Sequence, residues 1–219
     1  MTHRLSRLAP LTGIAFAVLA LVGFFAGPST PGSDASGTSV IAYYTTHQSA
    51  QKATDIAFGL AFVLFVFFAA SLRSYIHRTP GSDTLSTLSM VGAGMTALGF
   101  LLFIGIEFSL ADVPNKLTPS AAQALNLLDN DLFFPTIAGM CVFAISSGLA
   151  IVRQSPIPKW LGWVAIAIGS ISLSPAFLPA IILLLLWTAT VSIVIYTRTG
   201  ANAQATGSAI TRPAGQPTA

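Results

Sequence analysis

Residues 160–197 read WLGWVAIAIGSISLSPAFLPAIILLLLWTATVSIVIYT, 38 residues without one charged side chain. As a single helix this stretch would run about 57 Å, nearly twice the hydrocarbon thickness of a bilayer. It must therefore fold back on itself. Ser174-Pro175-Ala176-Phe177-Leu178-Pro179 lies at its middle. A proline ends one helix because it has no backbone N–H to donate, and it suits the first turn of the next. Two short spans are expected, 160–175 and 179–197, joined as a tight hairpin.

Outward from this stretch the same composition repeats. Leu8–Ala26, Ile56–Leu72, Thr84–Ile106 and Leu132–Val152 are each uncharged or nearly so. One crossing needs about 17–25 apolar residues, so each supplies one span. The expected fold is an all-α transmembrane bundle of six spans, at 8–26, 53–72, 86–108, 132–152, 160–175 and 179–197. Residues 199–219, rich in Ala, Gly, Thr and Pro, lack apolar periodicity and are expected as a disordered cytoplasmic tail. Hydrophobic residues make up 53% of the chain and charged residues 8%, against about 25% charged in a soluble domain. Such a chain cannot cover itself with polar groups, so its partner is the lipid bilayer.

Charge sets the orientation. With six spans, one side receives Arg4, Arg7, Arg73, Arg78, Arg153, Lys159, Arg198 and Arg212, and the other only Lys52 and Lys116. By the positive-inside rule the richer side is cytoplasmic, which places both termini inside and the protein in the cell membrane. Six of the seven acids fall on the other side, Asp83 being the exception. Five spans would carry Arg198 and Arg212 outside and weaken the bias. The start, Thr2-His3-Arg4-Leu5-Ser6-Arg7 before an apolar run, also has the form of a signal peptide. Cleavage after Ala26 would leave five spans, but it would put Phe24 where a small residue is wanted; retention as an anchor is expected.

Several functions are excluded or unsupported. The net charge is only +3 with no basic run, which gives nucleic acid no footprint. His3, His47 and His77 lie away from mid-membrane, against haem ligated by two histidines. No metalloprotease helix, nucleophile elbow or phosphate loop occurs. Gly92-Ala93-Gly94 lies inside an apolar span with no strand before it, so it is no nucleotide site. The single Cys141 permits no intrachain disulfide and reads as a packing residue. No catalytic residue, metal centre or cofactor is called for.

Glycines and aromatics read as packing and anchoring groups. Gly92, Thr96 and Gly99 form one small-residue stripe, and Gly162, Ala165, Gly169 and Ser172 another. Such stripes let helix backbones approach closely where lipid offers no hydrophobic incentive. Trp160, Trp163, Tyr75 and Tyr196 read as interfacial anchors.

The outer connections carry the chemistry. Thr38 or Ser39 is expected to cap a helix from Val40, and Thr118 to cap another with Pro119 at its first position. Each leads into the following span, as though one unit occurred twice. On the second, Asn126, Asp129 and Asn130 share one helix face, and Asp131 adds a carboxylate just before Pro135. On the first, His47, Gln51 and Asp55 share a face, and Glu107 ends span three. If these helix ends converge they form a pocket of Asp129, Asp131, Glu107, Asp55, Asn126 and His47, suited to a cation, protons or a polar head group. The alternative is that these groups reach water at span ends and form no site.

Ile157-Pro158-Lys159-Trp160-Leu161-Gly162-Trp163, together with Val40-Ile41-Ala42-Tyr43-Tyr44 and Leu72-Arg73, resembles segments of an uncharacterised family of small six-span bacterial membrane proteins, actinobacterial ones among them. The resemblance implies the architecture and brings no activity or catalytic residue. Two expectations follow from the whole sequence. One is binding or transport of a small ligand, ion or lipid at the outer acidic pocket. The other is a non-catalytic scaffold or accessory subunit that packs against another membrane protein, or a homo-oligomer.

Overall fold

A computed structural model of the chain describes residues 8–77 and 83–210, with only the backbone given at Gln154 and at 200–210. Arg4, Arg7, Arg78, Arg212 and His3 lie outside the described residues. All described regular structure is helical. In chain order, α1 is Thr12–Ala26, α2 Gly37–Ile76, α3 Asp83–Asp112, α4 Pro119–Asp131, α5 Phe133–Gln154, α6 Lys159–Ser172 and α7 Phe177–Ile210. Among the described residues, five helical stretches are long and apolar enough to cross a membrane, with α4 and α5 counted as one. The sixth apolar helix, α6, has 14 residues, about 21 Å at 1.5 Å per residue.

The helices run back and forth between two ends. One carries Arg73, Arg153 and Lys159 and is here the basic end; the other carries the 27–36 and 113–118 connections and most of the acids. The proline-centred break falls at Leu173–Ala176, with Pro179 inside the first turn of α7. The Phe177 ring sits 5.1 Å from that of Phe133, at the start of α5, so the α6–α7 turn lies at the acidic end. Trp187 on α7 donates its indole N–H to the Leu161 carbonyl at 2.8 Å and locks the hairpin.

Local chemistry accounts for the helix ends. Ser36 caps α2, its Oγ accepting from the Ser39 N–H at 3.3 Å. The cap is therefore two to three residues earlier than expected, and position 37 is a glycine because a Cβ there would strike the Pro119 backbone of α4. Thr118 caps α4 by accepting from the Ala121 N–H at 3.3 Å, with Pro119 at the first position as expected. The two outer connections are not built alike. α2 runs unbroken for 40 residues, about 60 Å, whereas α4 and α5 part at Leu132. Pro135, in the first turn of α5, cannot donate to Asp131, which places the break there. α7 continues to Ile210, beyond the Thr199 where disorder is expected; Ala201, Ala203, Ala205 and Ala209 favour helix in that stretch.

Packing centres on α5. Its Gly139 lies against Met95 and Thr96 of α3, while Gly92 and Gly99 of α3 lie against Phe143 and Thr136 of α5. Gly148 of α5 and Gly162 of α6 face each other's carbonyls, and Gly169 faces Ile145. Both small-residue stripes are thus used inside the bundle. The close approach gains many dispersion contacts, which drive helix association when lipid surrounds the helices. Rings fill the space between α1, α2, α3 and α5: Phe62 stacks on Phe100 at 4.1 Å, and Phe65 meets Phe143 edge-on at 5.0 Å. A second, smaller core of Val40, Tyr44, Leu110, Ala111 and Ala122 lies beyond it at the acidic end. It fixes the acidic-end part of α2 against α3 and α4.

Candidate functional site

The second core brings three carboxyl-bearing helices together. Asp55 of α2, Glu107 of α3 and Asp129 of α4 are all buried, at 1%, 5% and 2% exposure. Gln51, one turn before Asp55, supplies the link. Its Nε2 donates to Asp55 Oδ1 at 2.9 Å and to Glu107 Oε2 at 3.3 Å. The two carboxyls are therefore held on either side of one amide nitrogen. Asp129 approaches them from α4, and Tyr44 lies on the same side. Asn126, a turn before Asp129, donates from Nδ2 to the Gly32 carbonyl at 2.9 Å, which pins the 27–36 connection over the cluster.

The polar balance of this cluster is one-sided. Gln51 Oε1, Asn126 Oδ1 and Asp129 Oδ1 are buried oxygens without a hydrogen-bond partner, as are the hydroxyls of Tyr43 and Tyr44, while the carboxyls of Asp55 and Glu107 are bonded to each other. Most are acceptors. Buried polar atoms are nearly always paired, and a buried charge needs a partner. Among the described residues, neither ion pair reaches the cluster: Lys52 is bound to Asp112 at 2.6 Å, and His77 to Asp83 at 3.0 Å. Lys52 stands on the α2 face next to Gln51 but is turned away to Asp112, with the Phe108 ring beneath it at 5.7 Å.

A cavity of about 220 Å³ opens beside the cluster. Gln51, Thr54 and Glu107 form its polar wall, and Phe58, Phe100, Phe103 and Phe133 its apolar one. Ser29 and Thr30, exposed after α1, also line it. Gly23 of α1 leaves room for the Phe58 ring, which a Cβ would meet at 2.7 Å. Glu107 and Gln51 belong to both the cavity and the buried cluster.

Four of the six expected site residues therefore converge: Asp55, Glu107, Asp129 and Asn126. Asp131 does not. It ends α4 one residue short of α5, exposed, because Asp129 and Asp131 are about 200° apart around a helix and cannot both face inward. His47 also stays out of the cluster. It is half-buried a turn further along α2, stacked on Tyr43 at 4.5 Å with Nδ1 3.0 Å from the Tyr43 carbonyl oxygen. Gln51 and Tyr44 are the site residues that a search for charge passes over. Their signal is the i, i+7, i+11 spacing of Tyr44, Gln51 and Asp55 on one face of α2. Among the described residues, no three His, Cys, Asp or Glu side chains come together as a metal-binding group. No family model matches this chain, and neither a curated protein nor a solved structure shows significant similarity to it.

Proposed function

We propose that this chain is a six-span protein of the cell membrane, with cytoplasmic termini, that binds or transports a small ligand, ion or lipid at an acidic pocket on its outer face. The observation that carries the reading is the excess of buried acceptors around Gln51, Asp55, Glu107 and Asp129 beside an open cavity. Burying such groups costs several kcal/mol unless a cation or donor meets them, and ionisable groups within membrane spans mark ligand and ion paths. The orientation rests on the positive-inside rule. The sixth crossing rests on α6, whose turn into α7 lies beside Phe133 at the acidic end.

A scaffold that docks through its glycine stripes has less support, since Gly92, Gly99, Gly162 and Gly169 all meet neighbouring helices of the same chain. Native mass spectrometry of the protein in lipid discs tests the proposal, with wild type compared to the Glu107→Gln, Asp129→Asn double variant. A small ligand, ion or lipid retained by wild type and lost from the variant is the expected result. Equal spectra for two folded proteins would overturn the pocket.

A further inference from the structure

Building on that pocket reading, we infer that the cavity takes a small protonated amine with an apolar body: its ammonium meets Glu107 and Gln51, and its body lies among Phe58, Phe100, Phe103 and Phe133. Three features of the cavity specify this chemistry. The polar wall offers oxygen acceptors, among them Gln51 Oε1, which is buried in a side chain 2% exposed and lacks a partner. An N–H donor satisfies it, whereas a quaternary nitrogen has no hydrogen to give. The carboxyl of Glu107 is a second acceptor; an ammonium beside it favours its ionised form, and the bond between the two is then charge-assisted.

The opposite wall is aromatic. A ring face attracts a cation and an edge packs against an aryl or alkyl body. Phe58 and Phe100 lie 6.5 Å apart centre to centre, and Phe103 and Phe133 meet edge-on at 6.0 Å. A bare metal ion would leave this wall unused. It also finds no group of three ligating side chains among the described residues. Size sets the third limit. The 220 Å³ of the cavity lies below the roughly 300–1,000 Å³ of drug-sized sites. A whole phospholipid does not fit, and a phosphate would face carboxylates, with Lys52 already held by Asp112.

The test is equilibrium binding of phenethylamine to the full-length protein in phosphatidylcholine–phosphatidylglycerol discs. Wild type should bind one equivalent saturably, and Glu107→Gln should weaken binding about 10- to 100-fold. Phe58→Leu and Phe103→Leu, at half-buried positions that tolerate change, should each weaken it about threefold to tenfold. Equal affinity for benzyltrimethylammonium overturns the role of the N–H donor, and equal affinity for n-butylbenzene overturns the role of charge. Binding that survives Glu107→Gln in a protein of unchanged melting temperature overturns the siting. Loss of amine binding when phosphatidylethanolamine is added to the discs assigns the site to an aminolipid head group and overturns the free amine. If Na⁺ or Mg²⁺ binds in a Glu107-dependent way and the amine does not, the inference fails while the acidic pocket stands. If none of the three binds, the inference fails, and both readings fail if the native mass spectra of wild type and the double variant are also equal.

Discussion

Gln51 and Glu107 stand 56 positions apart in the chain, yet the Gln51 amide nitrogen lies 3.3 Å from Glu107 Oε2. Because the same nitrogen also serves Asp55 at 2.9 Å, one neutral side chain organises two acids on different helices. Gln51→Leu should therefore destabilise the fold by about 1–3 kcal/mol, by leaving buried acceptors unpaired. Adding Asp55→Asn to that variant supplies a new donor and should recover part of the loss. Thermal unfolding in detergent measures both, and an unchanged midpoint for Gln51→Leu would show that the bond contributes nothing.

Two glycines of α3 should respond in opposite directions. A Cβ at Gly92 would enter the Phe143 backbone, whereas one at Gly94 meets nothing within 4 Å. Gly92→Ala forces α3 and α5 apart and should cost about 1–3 kcal/mol. Gly94→Ala should be neutral or stabilise by up to about 1 kcal/mol, through lower backbone entropy in the unfolded chain. Unfolding midpoints of the two variants side by side decide the matter; equal shifts would remove the close helix crossing as the cause.

The α6–α7 hairpin depends on Trp187. Its indole bonds the Leu161 carbonyl at 2.8 Å, and its ring meets Phe143 edge-on at 6.0 Å. Trp187→Phe retains a ring but loses the donor, for an expected loss of about 0.5–1.5 kcal/mol. Hydrogen exchange of α6 in lipid discs should rise in this variant while that of α2 stays constant. Protection unchanged in α6 would show that helix packing alone holds the hairpin.

Orientation is open to direct labelling. In a Cys141→Ala background, Ser33→Cys and Gln123→Cys should react with a membrane-impermeant maleimide added outside intact cells. Ser155→Cys should react only after lysis. The reverse pattern would invert the topology, and labelling of all three before lysis would show that α5 does not cross.

The long apolar helices were legible in the sequence, because a bilayer imposes local rules. Apolar length marks a crossing, and the distribution of Lys and Arg marks its direction. Neither depends on which helix lies next to which. The Pro175 break was readable for the same reason, since a missing N–H acts within its own turn. Thr118 followed by Pro119 likewise announced the start of α4.

The site was legible only in part. Asp55, Glu107, Asp129 and Asn126 stood out as polar residues near the ends of apolar spans, and helical spacing placed Gln51 on the face of Asp55. Spacing did not say that Asp131 would turn to solvent, since that depends on where α4 breaks from α5. Nor did it place His47 on Tyr43, outside the cluster. Tyr44 passed unnoticed because a tyrosine near a membrane surface ordinarily reads as an anchor.

By itself, then, the sequence determined what is local: the helical class, the long apolar helices, the helix breaks, and which residues share a helix face. Tertiary structure alone decided that α4 folds over the acidic-end part of α2 and that α5 runs against both α3 and α6. It also decided that Gln51 stands between Asp55 and Glu107 at the edge of a phenylalanine-lined cavity. The physical reason is that hydrophobicity, capping and charge act along one helix. Convergence depends on close steric fit between helices, such as that of Gly92 with Phe143 and of Gly37 with Pro119, and such fit is set by partners far apart in the chain.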